Sequence, residues 1–385
     1  MADFEYSKLS ETYDEFEFPI VRLTVDGKEL SKEENLMITG LDVDLTSGYE
    51  ASVATVTLAG SYNADSKSFD VEKTKKYMLL GSSIVIATGY GNVSREIFRG
   101  FIARVHFIIP PSIEDEIPSV EVTAMDAKGL MMANRHSKRL KAKFYSDAVK
   151  EVLETNTFLS QKDETGNDFT VLNITDTPDK QEGQGESGTT DRRVEMVEES
   201  DYEFIVKAAK KFNFEFFIVG GNLYFIEAKK NTTPLIVLSP GCGVGALDIG
   251  YDISGIVRSV EVRNINMEDG KFLGNTKKTT TKISLGNKAK PLVEKQSLVY
   301  IDPTAKSKDD AGYRAQYLMD TIDYRFGSVS ASFTGLPEVV PGRFVTLSGF
   351  GEPLDNDFYL RRVRHMIGNE SYRIQIEGVA NSIKQ

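Results

Sequence analysis

The sequence predicts a mainly β protein, with two tube-like β-barrel domains and a small α+β domain inserted between them. Three observations lead to this prediction. Most of the chain divides into short segments in which apolar and polar residues alternate, which is the period of half-buried strands. Glycine, asparagine and aspartate mark turns between these segments. Helical spacing of apolar residues is confined to a few stretches, so strands should dominate the fold.

The N-terminal part of the chain is predicted to be an arm followed by the first barrel. Residues 1–15 are polar and acidic and form the predicted arm. The first barrel should occupy 16–130, beginning with a strand in which Val21, Leu23 and Val25 share one face. Further alternating segments lie at 54–58, 84–87, 101–107 and 120–124.

The middle of the chain, 131–234, has an α+β pattern. Ser146 can cap a helix that runs to about Glu154. Ser200 and Glu203 have the spacing of a capping box, in which the serine accepts a backbone hydrogen bond and the glutamate reaches back to the serine amide. The helix that follows should lead into a hairpin with its turn at 220–222.

Most of the negative charge lies in this middle domain. The chain carries a formal net charge of −11. Residues 161–203 contain thirteen acidic and four basic residues, while the rest of the chain is nearly balanced. Residues 181–190 have too little apolar content to bury, so we predict an acidic mobile loop over 161–199.

The second barrel is predicted over 235–385, with one long helix at about 307–323. Ser307 can cap that helix, and Asp310 sits at its third position. Near the C-terminus, Pro341 and Gly342 suit a type II turn. A strand at 344–347, a turn at 355–357 and a returning strand at 358–363 then complete a hairpin.

Composition excludes several classes of protein. The acidic balance argues against general nucleic-acid binding, which needs a basic surface. No run of about 18 apolar residues predicts a membrane span, and the N-terminus lacks the apolar segment of a secretory signal. We therefore expect a protein that is assembled in the cytoplasm of its producer. The single cysteine, Cys242, excludes an internal disulfide and is predicted to be a small, semi-buried turn residue.

Motifs for chemistry are sparse, and we predict no catalytic residue, cofactor or metal site. The three histidines, His106, His136 and His365, lie far apart and lack metal-ligand spacing. The glycine-rich segment at 241–245 lacks the lysine and hydroxyl of a phosphate loop. A carboxylate pair for glycan hydrolysis stays open, because an acidic chain always offers such pairs, but there is no tryptophan to serve as a sugar platform.

Two basic clusters stand out against the acidic background, at 135–143 and 361–364. They could contact an acidic neighbouring subunit, or they could be solvated faces, and the sequence supports both interpretations equally. The candidate subunit contacts are Arg135, Lys138, Arg139, Arg361, Arg362, Arg364 and His365.

Three blocks resemble one family in the order in which they occur. The first is the glycine–tyrosine segment at 87–91 followed by 97–102, with Phe98, Gly100 and Ile102. The second is the capped helix and hairpin at 200–225, and the third is the hairpin at 341–365. Together they are similar to the phage late-control D family and the baseplate-hub half of VgrG-like proteins. Asp357 departs from the family, which often has glycine there.

The resemblance implies a structural hub of a contractile phage tail, a tail-like bacteriocin or an injection system. Three copies would form a ring that adapts a hexameric inner tube to a trimeric spike. The implied partners are the inner tube or tube-initiator protein, baseplate wedge proteins and a separate spike or tip protein, since this sequence stops before the OB domain and β-helical spike of VgrG. No nucleic-acid specificity and no membrane insertion are implied.

Two other functions remain open at this stage. The tail-tip hub of a non-contractile phage would have the same fold. A tail-associated hydrolase of cell wall or surface glycan would need a carboxylate pair in a cleft. For the hub, the acidic residues 161–203 are the candidate contact with neighbouring baseplate proteins.

Overall fold

The structure is a computed structural model that describes residues 2–30, 36–112, 116–162, 169–182, 193–265, 270, 272–279, 288–368 and 371–384. It is mainly β, as the sequence predicts. Among the described residues, no helix is both long and apolar enough to cross a membrane.

The first β domain follows a short N-terminal helix. Its strands run antiparallel to their neighbours in the sheet and curl around one apolar core that includes Leu23, Val43, Val56 and Phe98. The elements are α1 (Tyr6–Thr12), β1 (Pro19–Val25), β2 (Lys28–Glu29), β3 (Met37–Thr46), β4 (Val53–Ala59), β5 (Tyr62–Asn63), β6 (Ser68–Phe69), α2 (Val71–Thr74), β7 (Ser83–Tyr90), β8 (Val93–Ile108) and β9 (Ser119–Met125).

The middle domain packs two helices against a small sheet. The predicted capping box is present, with Ser200 accepting from the Glu203 amide and Glu203 accepting from the Ser200 amide. Asn213 ends that helix in the left-handed conformation. The elements are α3 (Lys128–Met131), β10 (His136–Arg139), α4 (Tyr145–Glu154), β11 (Val171–Ile174), α5 (Pro178–Glu182), β12 (Glu195–Glu199), α6 (Asp201–Phe212), β13 (Phe214–Val219) and β14 (Asn222–Glu227).

Parts of the predicted acidic loop at 161–199 form two strands and a short helix of this domain. Strand β11 pairs in parallel with β14, and β12 pairs with β10. Helix α5 lies between them. Backbone pairing and the buried Phe169, Val194 and Met196 therefore hold these parts of the segment in place. Residues 163–168 and 183–192 lie outside the described residues, and they include most of 181–190, the stretch whose low apolar content predicts mobility.

The second β domain contains the longest helix and a separate three-stranded sheet, in the order β18-β17-β19. Ser307 caps α8, as predicted, by accepting from the Asp310 amide at 3.0 Å. The elements are β15 (Pro234–Leu238), β16 (Ala246–Tyr251), β17 (Ser259–Ile265), β18 (Phe272–Lys278), α7 (Ala289–Val293), β19 (Ser297–Ile301), α8 (Lys308–Asp323), β20 (Gly327–Thr334), β21 (Phe344–Leu347), β22 (Asn356–Ile367) and β23 (Tyr372–Ala380).

The predicted C-terminal hairpin is β21 and β22, but its turn lies earlier than expected. Gly342 has φ of 83°, in agreement with the predicted turn before β21. At the other end, Asn356 and Asp357 are already paired strand residues. The connection closes around the Asp355 carboxylate, which accepts from the amides of Gly349, Phe350 and Gly351. Asp355 thus organises the loop before it rather than a turn after it.

One sheet of thirteen strands joins the two β domains. Its order is β16-β20-β23-β22-β3-β4-β9-β8-β7-β1-β2, with β21 on β22 and β15 on β21. The junction is β22, whose twelve residues serve both domains. Residues 356–359 pair with β21, and residues 362–367 pair with β3, from Arg362 opposite Thr46 to Ile367 opposite Leu41. The two predicted barrels therefore share an unbroken sheet.

Candidate assembly surface

The joined sheet has one polar face that runs across both β domains. The opposite face carries the apolar residues of the two cores, because successive side chains in a strand point to opposite sides. On the polar face the side chains are half-buried or exposed. From the second domain to the first they include Ser330, Ser332, Gln375, Glu377, Arg362, Arg364, Asp44, Asp42, Thr55, Thr57, Thr123, Glu121 and Arg104.

Ion pairs tie the polar face together where β22 meets β3. Arg362 lies 2.9 Å from Asp44, and the Arg364 guanidinium binds both carboxylate oxygens of Asp42. Burial raises the pKa of Asp44, although Arg362 and Arg364 oppose this. The hydrogen bonds from Arg364 to Asp42 raise the pKa of the guanidinium. Charges of both signs thus balance within the sheet, and the face is hydrophilic without a strong charge of either sign.

Of the four predicted contacts at 361–365, the three arginines lie at the surface and the histidine lies in the interior. Arg361 is exposed, and Arg362 and Arg364 lie on the polar face. His365 is fully buried on the opposite face, so it cannot contact another subunit from there. Asp42 and Asp44, the partners of these arginines, were not among the predicted contact residues. Their alternation with Leu41, Val43 and Leu45 was a readable strand signal.

A buried polar cluster holds the N-terminal arm and the two β domains together. The Tyr372 hydroxyl lies 2.7 Å from His365 Nδ1 and 2.9 Å from Thr88 Oγ1. The Tyr90 hydroxyl donates to the Gly335 carbonyl at 2.8 Å. Thr88 and Tyr90 belong to the first domain, whereas His365 and Tyr372 belong to the second. These hydrogen bonds connect the two domains at a second place besides the pairing of β22 with β3.

The arm contributes to the same cluster. Tyr13 is fully buried and donates to Glu338 at 2.7 Å, and Arg95 pairs with the same carboxylate oxygen at 2.8 Å. Burial raises the pKa of the Tyr13 hydroxyl, and the Glu338 carboxylate raises it further. Burial also raises the pKa of Tyr90 and lowers that of His365 to about 4. The Tyr13 and Tyr90 hydroxyls and the His365 ring are therefore neutral near pH 7.

The predicted cluster around Arg135, Lys138 and Arg139 lies on the middle domain, away from the joined sheet. Arg135 is 3.3 Å from Glu203, and Arg139 is 3.7 Å from Glu195. Both acidic partners belong to the charged segment 161–203. Basic and acidic segments of the same chain thus neutralise each other here, which reduces the charge that this cluster offers to a neighbouring subunit.

A wide cleft of about 1480 Å³ lies between α6 and the start of α8. Two of its carboxylates pair with cations of the same cleft: Lys211 lies 2.9 Å from Asp310, and Arg314 lies 3.5 Å from Asp302. Within the described residues, no group of three or more His, Cys, Asp or Glu side chains could hold a metal ion. These pairs place charges of both signs side by side in the cleft.

No protein-family model and no curated protein sequence matches the chain. Solved structures share its fold. A tail protein from Neisseria meningitidis MC58 is 13% identical with a TM-score of 0.65, over 94% of this chain and 97% of that protein. The 43 kDa tail protein of prophage MuSo2 from Shewanella oneidensis is 11% identical with a TM-score of 0.66, over 94% and 98%.

A third match comes from a secretion system. The Escherichia coli c3393 protein is described as a type VI secretion component with structural similarity to the T4 bacteriophage tail proteins gp27 and gp5. It is 10% identical with a TM-score of 0.55, over 94% of this chain and 78% of that protein. The chain thus has the mainly β fold found in phage tail proteins and in a component of a type VI secretion system.

Proposed function

We propose that the protein is a structural baseplate hub of a contractile phage tail or a related injection system, of the late-control D and VgrG-like kind. Three copies would form a ring between a hexameric inner tube and a trimeric spike. The observation that carries the proposal is the joined sheet, which extends one polar face over two β domains. Fold similarity to two phage tail proteins over 94% of the chain supports it.

The edges of the joined sheet suit a closed ring. At one end, β16 pairs with β20 and with no other strand in the described part of the chain. At the other end, β2 pairs with β1 at Thr24 and Val25, and the Leu30 amide donates to the Leu23 carbonyl. The edge of β1 before Leu23 therefore has no strand partner among the described residues. Two different free edges on one subunit support head-to-tail contacts, and such contacts generate a ring when the rotation closes. In that ring the polar face would line the central pore.

The domain organisation suits the mismatch between a six-fold and a three-fold partner. Each chain has two strand-rich domains joined through β22 and β3, so three chains present six such domains. These six would meet the inner tube or tube-initiator protein. The single middle domain of each chain would keep the three-fold symmetry of a separate spike or tip protein. Wedge proteins of the baseplate would surround the ring.

The proposed hub needs no catalysis. Its contacts would be formed by strand edges and by exposed charged residues, of which Arg361, Arg362 and Arg364 are the proposed pore or subunit contacts. Arg135, Lys138 and Arg139 are proposed as weaker contacts, because two of the three already have partners within the chain. The protein would assemble in the producer cytoplasm and remain in the baseplate of the particle. A cell-wall turnover assay that detects hydrolysis would contradict the non-enzymatic role.

The experiment is a native mass measurement of the purified protein, alone and with the spike protein encoded beside it. The chain mass is 42.8 kDa, so a ring of three should measure about 128 kDa. Addition of the spike protein should give one complex with three copies of each. A protein that stays monomeric and ignores both the spike and the tube protein would refute the proposed hub. Recovery of the complex from a particle that has a tube but no sheath would instead indicate a non-contractile tail.

A further inference from the structure

The three-stranded sheet of the second β domain ends in an unusually exposed strand. All five residues of β19 are exposed, although four of them, Leu298 to Ile301, are large and apolar. The side chain of Ile301 is 81% exposed. Strands of this composition are normally covered, because an exposed apolar edge strand is a template for pairing with another chain.

One side of β19 is open for hydrogen bonding. The strand pairs in parallel with β17, and no other described strand pairs with it. Next to the ends of β19, the Gln296 carbonyl accepts from the Arg258 amide, and the Asp302 amide donates to the Arg263 carbonyl. The backbone groups of the even-numbered residues of β19 therefore point toward β17. Because backbone groups alternate along a strand, the N–H and C=O groups of Ser297, Val299 and Ile301 point to the open side.

The outer face of this sheet carries exposed apolar residues next to the Glu261–Arg263 ion pair. Helix α8 packs on the face that carries Val260 and Val262. The other face of the sheet carries Val299 and Ile301 from β19. It also carries Ile265 of β17 and its pairing partner Phe272 of β18. Ile265 is 57% exposed and Phe272 is 61% exposed. An added strand could therefore extend the hydrogen-bonded ladder and cover the exposed Val299 and Ile301.

The surroundings of β19 are basic, in contrast to the chain as a whole. The described residues 258–265, 272–279 and 288–308 contain nine lysines and arginines against three acidic residues, whereas the whole chain has a net charge of −11. Lys278 lies beside Ser259, which is the partner of Ser297, and Lys295 comes just before β19. Complementary charge steers and orients a partner of opposite sign. The basic residues therefore favour an acidic occupant.

We propose that β19 is a docking edge for an extended acidic segment of another polypeptide, which adds to the sheet as a strand. Main-chain hydrogen bonds to Ser297, Val299 and Ile301 would supply affinity, as in other cases of strand addition. Alternate apolar side chains of the segment would cover Val299 and Ile301, and its carboxylates would meet the surrounding lysines. The inference is independent of the proposed hub, because the isolated protein should already bind such a segment.

The test uses a labelled nine-residue peptide that alternates valine or isoleucine with glutamate, aspartate or threonine, together with a version in which lysine replaces the acidic residues. Fluorescence anisotropy with the full-length protein should show binding of the acidic peptide and about tenfold weaker binding of the basic one. Hydrogen exchange should slow at the amides of Val299 and Ile301 when the acidic peptide binds.

Two variants and a control locate the contact. Val299→Pro removes an outward N–H without removing a bond to β17, and Ile301→Asp places a repelling charge beside the acidic peptide. Each should weaken binding about tenfold or more. Leu80→Asp, at an apolar residue 68% exposed in the first domain, should leave binding unchanged. No binding of the acidic peptide, or binding that both variants leave intact, overturns the proposal. So does self-association of the protein that Ile301→Asp abolishes, because the occupant would then be a second copy.

Discussion

His365 is the clearest case of a single residue whose chemistry follows from its position. It is fully buried between the two β domains, and its Nδ1 lies 2.7 Å from the Tyr372 hydroxyl. Burial disfavours the charged imidazolium and lowers the pKa to about 4 from an unfolded value of 6.5. The sequence showed a histidine among arginines and suggested a surface contact. The two-residue period of β22 instead turns His365 inward between the outward-facing Arg364 and Met366.

A pH dependence of stability follows from this shift. Between pH 6.5 and about 4 the unfolded chain binds a proton at His365 that the folded chain does not bind. The free energy of unfolding should therefore fall as the pH falls through this range, by about 3 kcal/mol from this residue. Urea unfolding of the wild type and of His365→Gln at several pH values measures the difference. Parallel pH profiles for the two proteins would contradict the buried neutral state.

The buried pair Lys128–Asp126 gives a second prediction for single residues. Both side chains are buried, with Nζ 3.8 Å from Asp126 Oδ2 and 3.3 Å from the Gly48 carbonyl. Burial lowers the pKa of Lys128 and raises that of Asp126. Lys128→Ala leaves the carboxylate without its cation and should lower the free energy of unfolding by about 3–5 kcal/mol.

The control for that measurement is the exposed pair Lys150–Glu154, whose atoms lie 3.7 Å apart. Lys150→Ala should change the free energy of unfolding by less than about 1 kcal/mol, because solvent screens an exposed pair. Equal effects of the two substitutions in denaturant unfolding would show that Lys128 does not depend on its buried partner.

Among the elements, the N-terminal arm differs most from its predicted character. It was predicted as a polar, acidic arm, but its aromatic and leucine residues all pack on the second domain. Tyr6, Leu9, Tyr13 and Phe16 contact the core of that domain, and the Phe4 amide donates to the Leu235 carbonyl. Their three- and four-residue spacing was a helical signal that the high acidic content of the segment obscured.

Removal of the Tyr13 side chain tests the docking of the arm. Tyr13→Ala leaves a cavity in the junction and an uncovered Glu338 carboxylate, so the free energy of unfolding should fall by about 3–5 kcal/mol. Tyr13→Phe keeps the ring and should cost about 1–2 kcal/mol, because only the hydrogen bond to Glu338 is lost. Glu11→Ala on the exposed side of the same helix should stay within about 0.5 kcal/mol. If Tyr13→Ala resembled Glu11→Ala in urea unfolding, the arm would not be docked in solution.

Elements with a strong local signal were predictable, and elements held by distant partners were less so. The capping box at Ser200 and Glu203 and the cap at Ser307 depend on residues three apart, and both are present. The predicted cap at Ser146 is wrong, because α4 already begins at Tyr145 and Ser146 lies inside the helix. The turn near Asp355 was misplaced, because its carboxylate binds amides that precede it in the chain. Strand β3 was not predicted at all, although Leu41, Val43 and Leu45 alternate with polar residues.

At the scale of the whole molecule, the sequence predicted the fold class but not how the two β domains join. The pairing of β22 with β3 connects residues more than 300 positions apart, and no local sequence pattern indicates such a pairing. The same holds for Arg364 and Asp42, which were visible as charges but not as partners. The polar face therefore became a candidate surface only when the register of the joined sheet was known.

We propose that the polar face lines the pore of a three-membered ring between tube and spike. Cryo-electron microscopy of particles from the producing strain tests this most directly. We predict three copies at the junction of the six-fold tube and the three-fold spike, with Arg362, Arg364, Asp42 and Asp44 facing the lumen. Density that places the chain at the periphery of the baseplate, or that turns this face toward another protein, would contradict the account.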